Sequence, residues 1–111
     1  MNPVFIYVTC ADSAEAERIG RELVDARLAA CANILPGMRS IYRWQGRVET
    51  AQETVLVLKS RQELFEQLAA RVRASHSYTT PCIVALPIIA GDPTYLAWIM
   101  ENTQPDTPSM A

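Results

Sequence analysis

Residues 31–59 read CANILPGMRSIYRWQGRVETAQETVLVLK, and this stretch decides the fold. Met38 to Trp44 is rich in strand formers, Gln45-Gly46 is a tight reversal, and Arg47 to Lys59 runs back to the apolar Val55-Leu56-Val57-Leu58. Pro36-Gly37 places a bend inside the first arm. The two arms predict one long β-hairpin. Upstream, Val4 to Thr9 is a run of β-branched and aromatic residues, hence a strand. Asp12 and Glu15 then have capping-box spacing, and Ala16, Ile19, Gly20, Leu23 and Ala30 recur near the helical period, predicting a helix over Ser13–Leu28. Downstream, Ser60 and Glu63 repeat the capping spacing before the stripe Leu64, Phe65, Leu68, Ala69, Val72, which predicts a second helix.

His76-Ser77-Tyr78-Thr79-Thr80-Pro81 is a polar loop. Cys82 to Ile89 follows as a fully buried strand in which Pro87 demands an edge position or a bulge. Asp92-Pro93 caps a short helix carrying Leu96, Ile99 and Met100 on one side. The order is βαββαβ plus a terminal helix: an α+β, ferredoxin-like sandwich with both main helices on one face of an antiparallel sheet. Residues 1–102 form a single domain, and 103–111, rich in Pro, Thr and Ser, a disordered tail.

Composition narrows the function. Across 111 residues, ten Lys+Arg against twelve Asp+Glu leave a net charge of −2, without the basic surface that nucleic acid requires. No segment approaches a membrane span, and Met1-Asn2-Pro3 lacks a basic leader region. Three cysteines, Cys10, Cys31 and Cys82, are an odd number with no C-x-x-C spacing, which fits a reducing cytoplasm.

Size makes the monomer look incomplete. A chain this long packs to a radius of gyration near ~13 Å, a diameter of roughly 34 Å. A strand from Cys31 to Trp44 would extend about 46 Å before its bend. The hairpin overhangs its own domain, carrying Tyr42 and Trp44 near its tip. Val55–Leu58 and Ile83–Leu86 are apolar on both alternations, whereas two helices cover one sheet face. Another copy, or the terminal helix, must cover the second, and self-association answers both needs.

Chemistry-bearing residues are few. His76, the single histidine, sits where the second helix ends, a place for a metal or ligand contact or for a dipole-complementing C-terminal histidine. A thiolate with an imidazole suits copper better than magnesium or calcium, although unpaired cysteines also serve as small buried hydrophobes. Glu49, Lys59 and Tyr78 with Tyr42, Trp44 and Trp98 would line an aromatic, partly charged cleft between subunits, or simply pack an interface. There is no nucleophile elbow, Walker loop or H-E-x-x-H. With no identifiable second group to join His76 in acid–base work, an enzyme is not expected.

Several separated motifs then agree with one family. Leu28-Ala29-Ala30-Cys31-Ala32-Asn33-Ile34, Ser40-Ile41-Tyr42-Arg43-Trp44-Gln45-Gly46 with Glu49, Glu53, Leu58 and Lys59, His76 through Pro81, and Gly91-Asp92 through Tyr95-Leu96-Ala97-Trp98 closely resemble the CutA family of divalent-cation tolerance proteins, over residues 4–99. The resemblance implies a cytoplasmic homotrimer of ferredoxin-like subunits whose hairpins pair across subunit boundaries, in an architecture similar to the PII signalling proteins. It implies tolerance of copper and other divalent metal ions. It also implies a metal site from a cysteine near the end of the first strand, Cys10, and a histidine pair of which His76 is the second member and Ser75 replaces the first. The alternative is a PII-like signalling or scaffold trimer that takes a small metabolite or partner protein in the inter-subunit cleft.

Overall fold

Asp12 opens the first helix as the spacing predicted, its side chain accepting the Glu15 N–H at 2.8 Å, while Glu15 reaches one residue further back than a capping box does and accepts the Ala11 N–H at 2.9 Å. The computed structural model describes residues 2–103. The elements are β1 (Pro3–Cys10), α1 (Ser13–Asp25), β2 (Cys31–Trp44), β3 (Arg47–Arg61), a 3₁₀ turn (Gln62–Leu64), α2 (Phe65–Ser75), β4 (Ile83–Pro87) and α3 (Pro93–Glu101). The four strands form one antiparallel sheet in the order β2-β3-β1-β4. This is a mixed α+β fold with three helices.

The alternation of β1 explains the core. Val4, Ile6, Val8 and Cys10 point to one side, where they meet Leu56 and Leu58 of β3, Ile19 and Leu23 of α1, and Leu68 and Val72 of α2. Each such side chain, once removed from water, contributes about 1.5–3 kcal/mol. Gly20 lets α1 approach the sheet, because a Cβ there would stand 2.9 Å from the Cβ of Ala32.

The second sheet face carries Val55 and Val57, 7% and 5% exposed. The terminal helix α3 packs against β3 and β1, burying Ile99, and reaches this face through Tyr95, whose hydroxyl lies 3.8 Å from Cys31 Sγ. Arg61 anchors the helix end, donating to the Met100 carbonyl and to Thr103 Oγ1.

The hairpin is long, as expected. Gln45 and Gly46 turn at φ +51° and +80°, the paired left-handed residues of a type I′ reversal. Pro36-Gly37 breaks the register between Leu35 and Met38, with Gly37 at φ +81°. The domain extends 51 × 35 × 23 Å with a radius of gyration of 15.0 Å, larger than the ~13 Å of a compact chain of this length. Ile41 and Val48 are 76% and 62% exposed, and Tyr42 and Trp44 43% and 45%.

Four expectations are corrected. Helix α1 ends at Asp25, not Leu28, because Arg27 takes φ +60° and the Leu28 and Arg27 N–H groups bond back to the Leu23 and Val24 carbonyls. This is a Schellman stop built without glycine. Ser60 does not cap α2. It stays in β3 opposite Val4, and its buried hydroxyl donates to the Leu28 carbonyl at 2.6 Å, so the helix enters through the 3₁₀ turn instead. Strand β4 is shorter than Cys82–Ile89 and is not fully buried. It lies at the sheet edge, as Pro87 required, with Val84 and Leu86 each 47% exposed. Thr103, placed with the tail, is buried and donates to the Ile99 carbonyl; positions 104–111 lie outside the described residues. Among the described residues no helix is long and apolar enough to cross a membrane.

Candidate functional site

Three pieces of chain converge at one end of the sheet: the last residue of β1, the first turn of α1 and the loop after α2. Helix α2 stops at Ser75, and His76 takes extended backbone, φ −87° and ψ 146°, which turns its ring inward until the side chain is fully buried. Its Nδ1 accepts the Tyr78 N–H at 3.0 Å, and its Nε2 lies 2.8 Å from the Thr9 carbonyl. One nitrogen accepts from an amide and the other faces an acceptor, which assigns the neutral tautomer with the proton on Nε2.

Glu15 completes the arrangement. Its Oε1 accepts from Ala11 and stands 3.9 Å from His76 Nδ1, and its Oε2 accepts the Ser77 N–H at 2.9 Å. Burial pushes this carboxyl up, yet the hydrogen bonds from Ala11 and Ser77 outweigh it and hold it below the ordinary value. Cys10 is wholly buried. Desolvation first, then the charges of Glu15 and Asp12, push its thiol up to about 12.

Cys10, Glu15 and His76 thus offer a sulfur, an oxygen and a nitrogen within 4.8 Å of one another. The two metal candidates read from the sequence are brought together, and Glu15 joins them. This donor set fits a borderline or soft divalent ion with an open fourth position. A bound cation would favour the thiolate that burial and the carboxylates now disfavour. It would also compete with the Tyr78 N–H for Nδ1. Ser75 is not part of the cluster, since its hydroxyl donates to Glu22 of α1 at 3.0 Å.

Beside His76 lies an open cleft of about 850 Å³, with Tyr42, Trp44, Tyr78 and Glu53 among its lining residues. The Tyr78 hydroxyl donates to Glu53 Oε2 at 2.8 Å, and the Tyr78 and His76 rings stand 4.7 Å apart. Burial, then the bond to Glu53 and that residue's charge, raise the Tyr78 phenol above its ordinary value.

Of the six cleft residues expected from the sequence, Tyr42, Trp44 and Tyr78 line this space. Glu49 pairs with Tyr42 across the hairpin. Lys59 and Trp98 stand elsewhere in the chain: Lys59 donates to Asn33, and Trp98 stacks on Tyr95 at 5.7 Å. Lys59 is six residues along β3 from Glu53, about 20 Å at strand rise. Glu53 was not singled out as a cleft residue, although strand alternation puts it on the face of Glu49 and Ala51. The capping spacing had already marked Glu15, but only as a helix start.

Fold and site together define a small α+β protein: a βαββαβ sheet with an overlong hairpin and a buried Cys–Glu–His cluster beside an aromatic cleft. The chain belongs to the CutA1 divalent ion tolerance protein family, whose model matches residues 4–102. It is 49% identical over 98 residues to the divalent-cation tolerance protein CutA of Thermus thermophilus, covering 88% of this chain and 95% of that one. To its namesake in Archaeoglobus fulgidus it is 45% identical over 100 residues, 90% of this chain and 97% of the relative. The solved Thermus thermophilus structure superposes with a TM-score of 0.90 at 47% identity, covering 92% and 99% of the two chains. The solved Archaeoglobus fulgidus structure, described as periplasmic, gives 0.89 at 44% identity over 92% and 99%.

Proposed function

We propose that this chain is a cytoplasmic homotrimer of ferredoxin-like subunits that acts in tolerance of divalent cations, and that Cys10 and His76, with Glu15, hold copper or another divalent metal ion. The observation that carries the reading is the convergence of three different donor atoms within 4.8 Å at one buried point. The names of the relatives, divalent-cation tolerance proteins, agree with the tolerance role. The strand order β2-β3-β1-β4 supports the ferredoxin-like assignment. Assembly is supported by the two open sheet edges and by hairpin rings exposed in a lone chain. Three unpaired thiols support the cytoplasm. The cluster binds rather than catalyses: its histidine is hydrogen-bonded on both nitrogens and its thiol holds its proton.

Anaerobic copper titration of the wild type and of a Cys10→Ser, His76→Ala double variant tests the ligands, with light scattering for the mass. Binding in the wild type, weakening at lower pH and lost in a folded double variant, is the expected result. Unchanged stoichiometry and affinity in the variant eliminate these ligands. A stable single-chain particle at micromolar concentration eliminates the trimer.

The cleft favours a second reading, a PII-like signalling or scaffold trimer in which a small metabolite or partner protein binds near Tyr42, Trp44 and Tyr78 and metals are incidental. Thermal shift against a metabolite panel checks it, because a ligand at 100 times its Kd adds about 2.7 kcal/mol. No shift with any member would count against it.

A further inference from the structure

We propose that the loop after α2 is a metal-operated latch on the hairpin: an ion held by Cys10, Glu15 and His76 and the present seat of Tyr78 against Glu53 exclude one another. This rests on the metal reading above and adds its regulation. Every contact in the latch lies within one chain.

The imidazole supplies the first argument. His76 is fully buried and uses both nitrogens, Nδ1 accepting the Tyr78 N–H at 3.0 Å and Nε2 lying 2.8 Å from the Thr9 carbonyl. A neutral imidazole has one nitrogen lone pair to give and carries its proton on the other nitrogen. If Nδ1 ligates, that lone pair is spent. If Nε2 ligates, the proton moves to Nδ1 and meets the Tyr78 N–H as donor against donor. Either way the Tyr78 amide loses its acceptor, which is costly until the chain turns it to water or to a new partner. Glu15 is under no such constraint, because each carboxylate oxygen has a second lone pair and can ligate while keeping the Ala11 and Ser77 amides. The displacement therefore falls on Tyr78.

The place where Tyr78 is fastened is the second argument. Its hydroxyl donates to Glu53 Oε2 at 2.8 Å. Strand β1 pairs with β3 from Thr54 to Arg61, so Glu53 is the first residue of β3 beyond that pairing, and it faces Met38 at the register break of β2. From Glu53 to the tip, β2 is the one strand beside this arm among the described residues. The bond thus ties the loop to the point where the hairpin leaves the sheet, and moving Tyr78 unties it. The coupling is reciprocal: the latch weakens ion binding by the factor by which the ion weakens the latch.

The test uses the full-length protein with zinc, a diamagnetic divalent ion, as the probe. Calorimetry follows binding, and NMR follows exchange of the Tyr78 amide hydrogen. Zinc is expected to bind and to speed that exchange about tenfold, while the Ala11 and Ser77 amides stay protected. Cys10→Ser is expected to abolish both effects. Tyr78→Phe, which keeps the amide and drops the hydroxyl, is expected to bind zinc about tenfold more tightly, and Glu53→Gln, which keeps an acceptor, to lie between. Zinc that binds through Cys10 while the Tyr78 amide exchanges as slowly as before, or equal affinity in wild type and a folded Tyr78→Phe, overturns the latch and leaves the metal site standing. Should Tyr78→Phe fail to fold, exchange in the wild type decides. Absent zinc binding, or binding unaltered by Cys10→Ser, overturns the latch, and the copper titration above then decides whether the metal reading falls with it.

Discussion

Glu15 is the residue whose removal should be felt most widely, because it joins three elements through one carboxylate. It accepts backbone N–H groups from Ala11 before α1 and from Ser77 after α2, each at 2.9 Å, and is 7% exposed. Glu15→Gln keeps one oxygen and turns an NH₂ donor toward the other amide. One charge-assisted bond is then weakened by about 1 kcal/mol, and one buried N–H is stranded at about 1–3 kcal/mol. The expected loss is therefore roughly 2–4 kcal/mol at pH 7. The sign with pH follows from the lowered carboxyl. Because the folded value lies below the unfolded one, the stabilisation is complete above about pH 4.3 and is lost as pH falls through the folded value. Wild type and variant should converge in acid. Urea unfolding with chelator present, at one protein concentration, at pH 7, 5 and 3 measures the gap. A gap below about 1 kcal/mol at pH 7, or one as large at pH 3 as at pH 7, would refute the reasoning.

Three further outcomes are expected. Cys10, with its thiol held near 12 and wholly buried, should resist iodoacetamide at pH 8 in the native protein and alkylate after denaturation; peptide mass mapping showing early native labelling would contradict this. Gly20→Ala should destabilise by ~1–3 kcal/mol in urea midpoint at constant slope, despite the usual helix gain of about 1 kcal/mol, because the new Cβ meets Ala32 Cβ at 2.9 Å. A stabilised variant would show that α1 can lift off the sheet freely. Ser60→Ala should cost ~1–3 kcal/mol by leaving the Leu28 carbonyl without its 2.6 Å donor, with an unchanged melting temperature counting against that role.

Much of the fold was legible because strong local signals agreed with one another. The reversal at Gln45-Gly46, the bend at Pro36-Gly37 and the capping at Asp12 and Asp92 each have a mechanism that operates within a few residues, and each is present. The misreadings share a cause. Arg27 adopts a left-handed conformation without being glycine, driven by two backbone bonds to α1 and by the burial of Leu28, so nothing local announces the helix end. Ser60 has the spacing of a cap, but pairing between Arg61 and Pro3 keeps it in the strand. At the site, Cys10 and His76 are 66 positions apart in the chain, and their meeting depends on β1 and α2 ending at the same edge of the fold. Motif resemblance suggested that meeting, whereas spacing did not. Within one chain the cleft gathers Tyr42, Trp44 and Tyr78, and the expected cleft between subunits draws on more than one copy.

The bare flanks of the sheet, β2 on one side and β4 on the other, have a genetic consequence within the proposed assembly. Each subunit would be clasped by two neighbours, so copies made together would mix. A variant crippled in one hairpin would drag sound copies into faulty particles, and a cell carrying both versions would show a deficit larger than halving the gene dose. Such poisoning in a co-expression experiment would report the interlock in living cells without purifying anything.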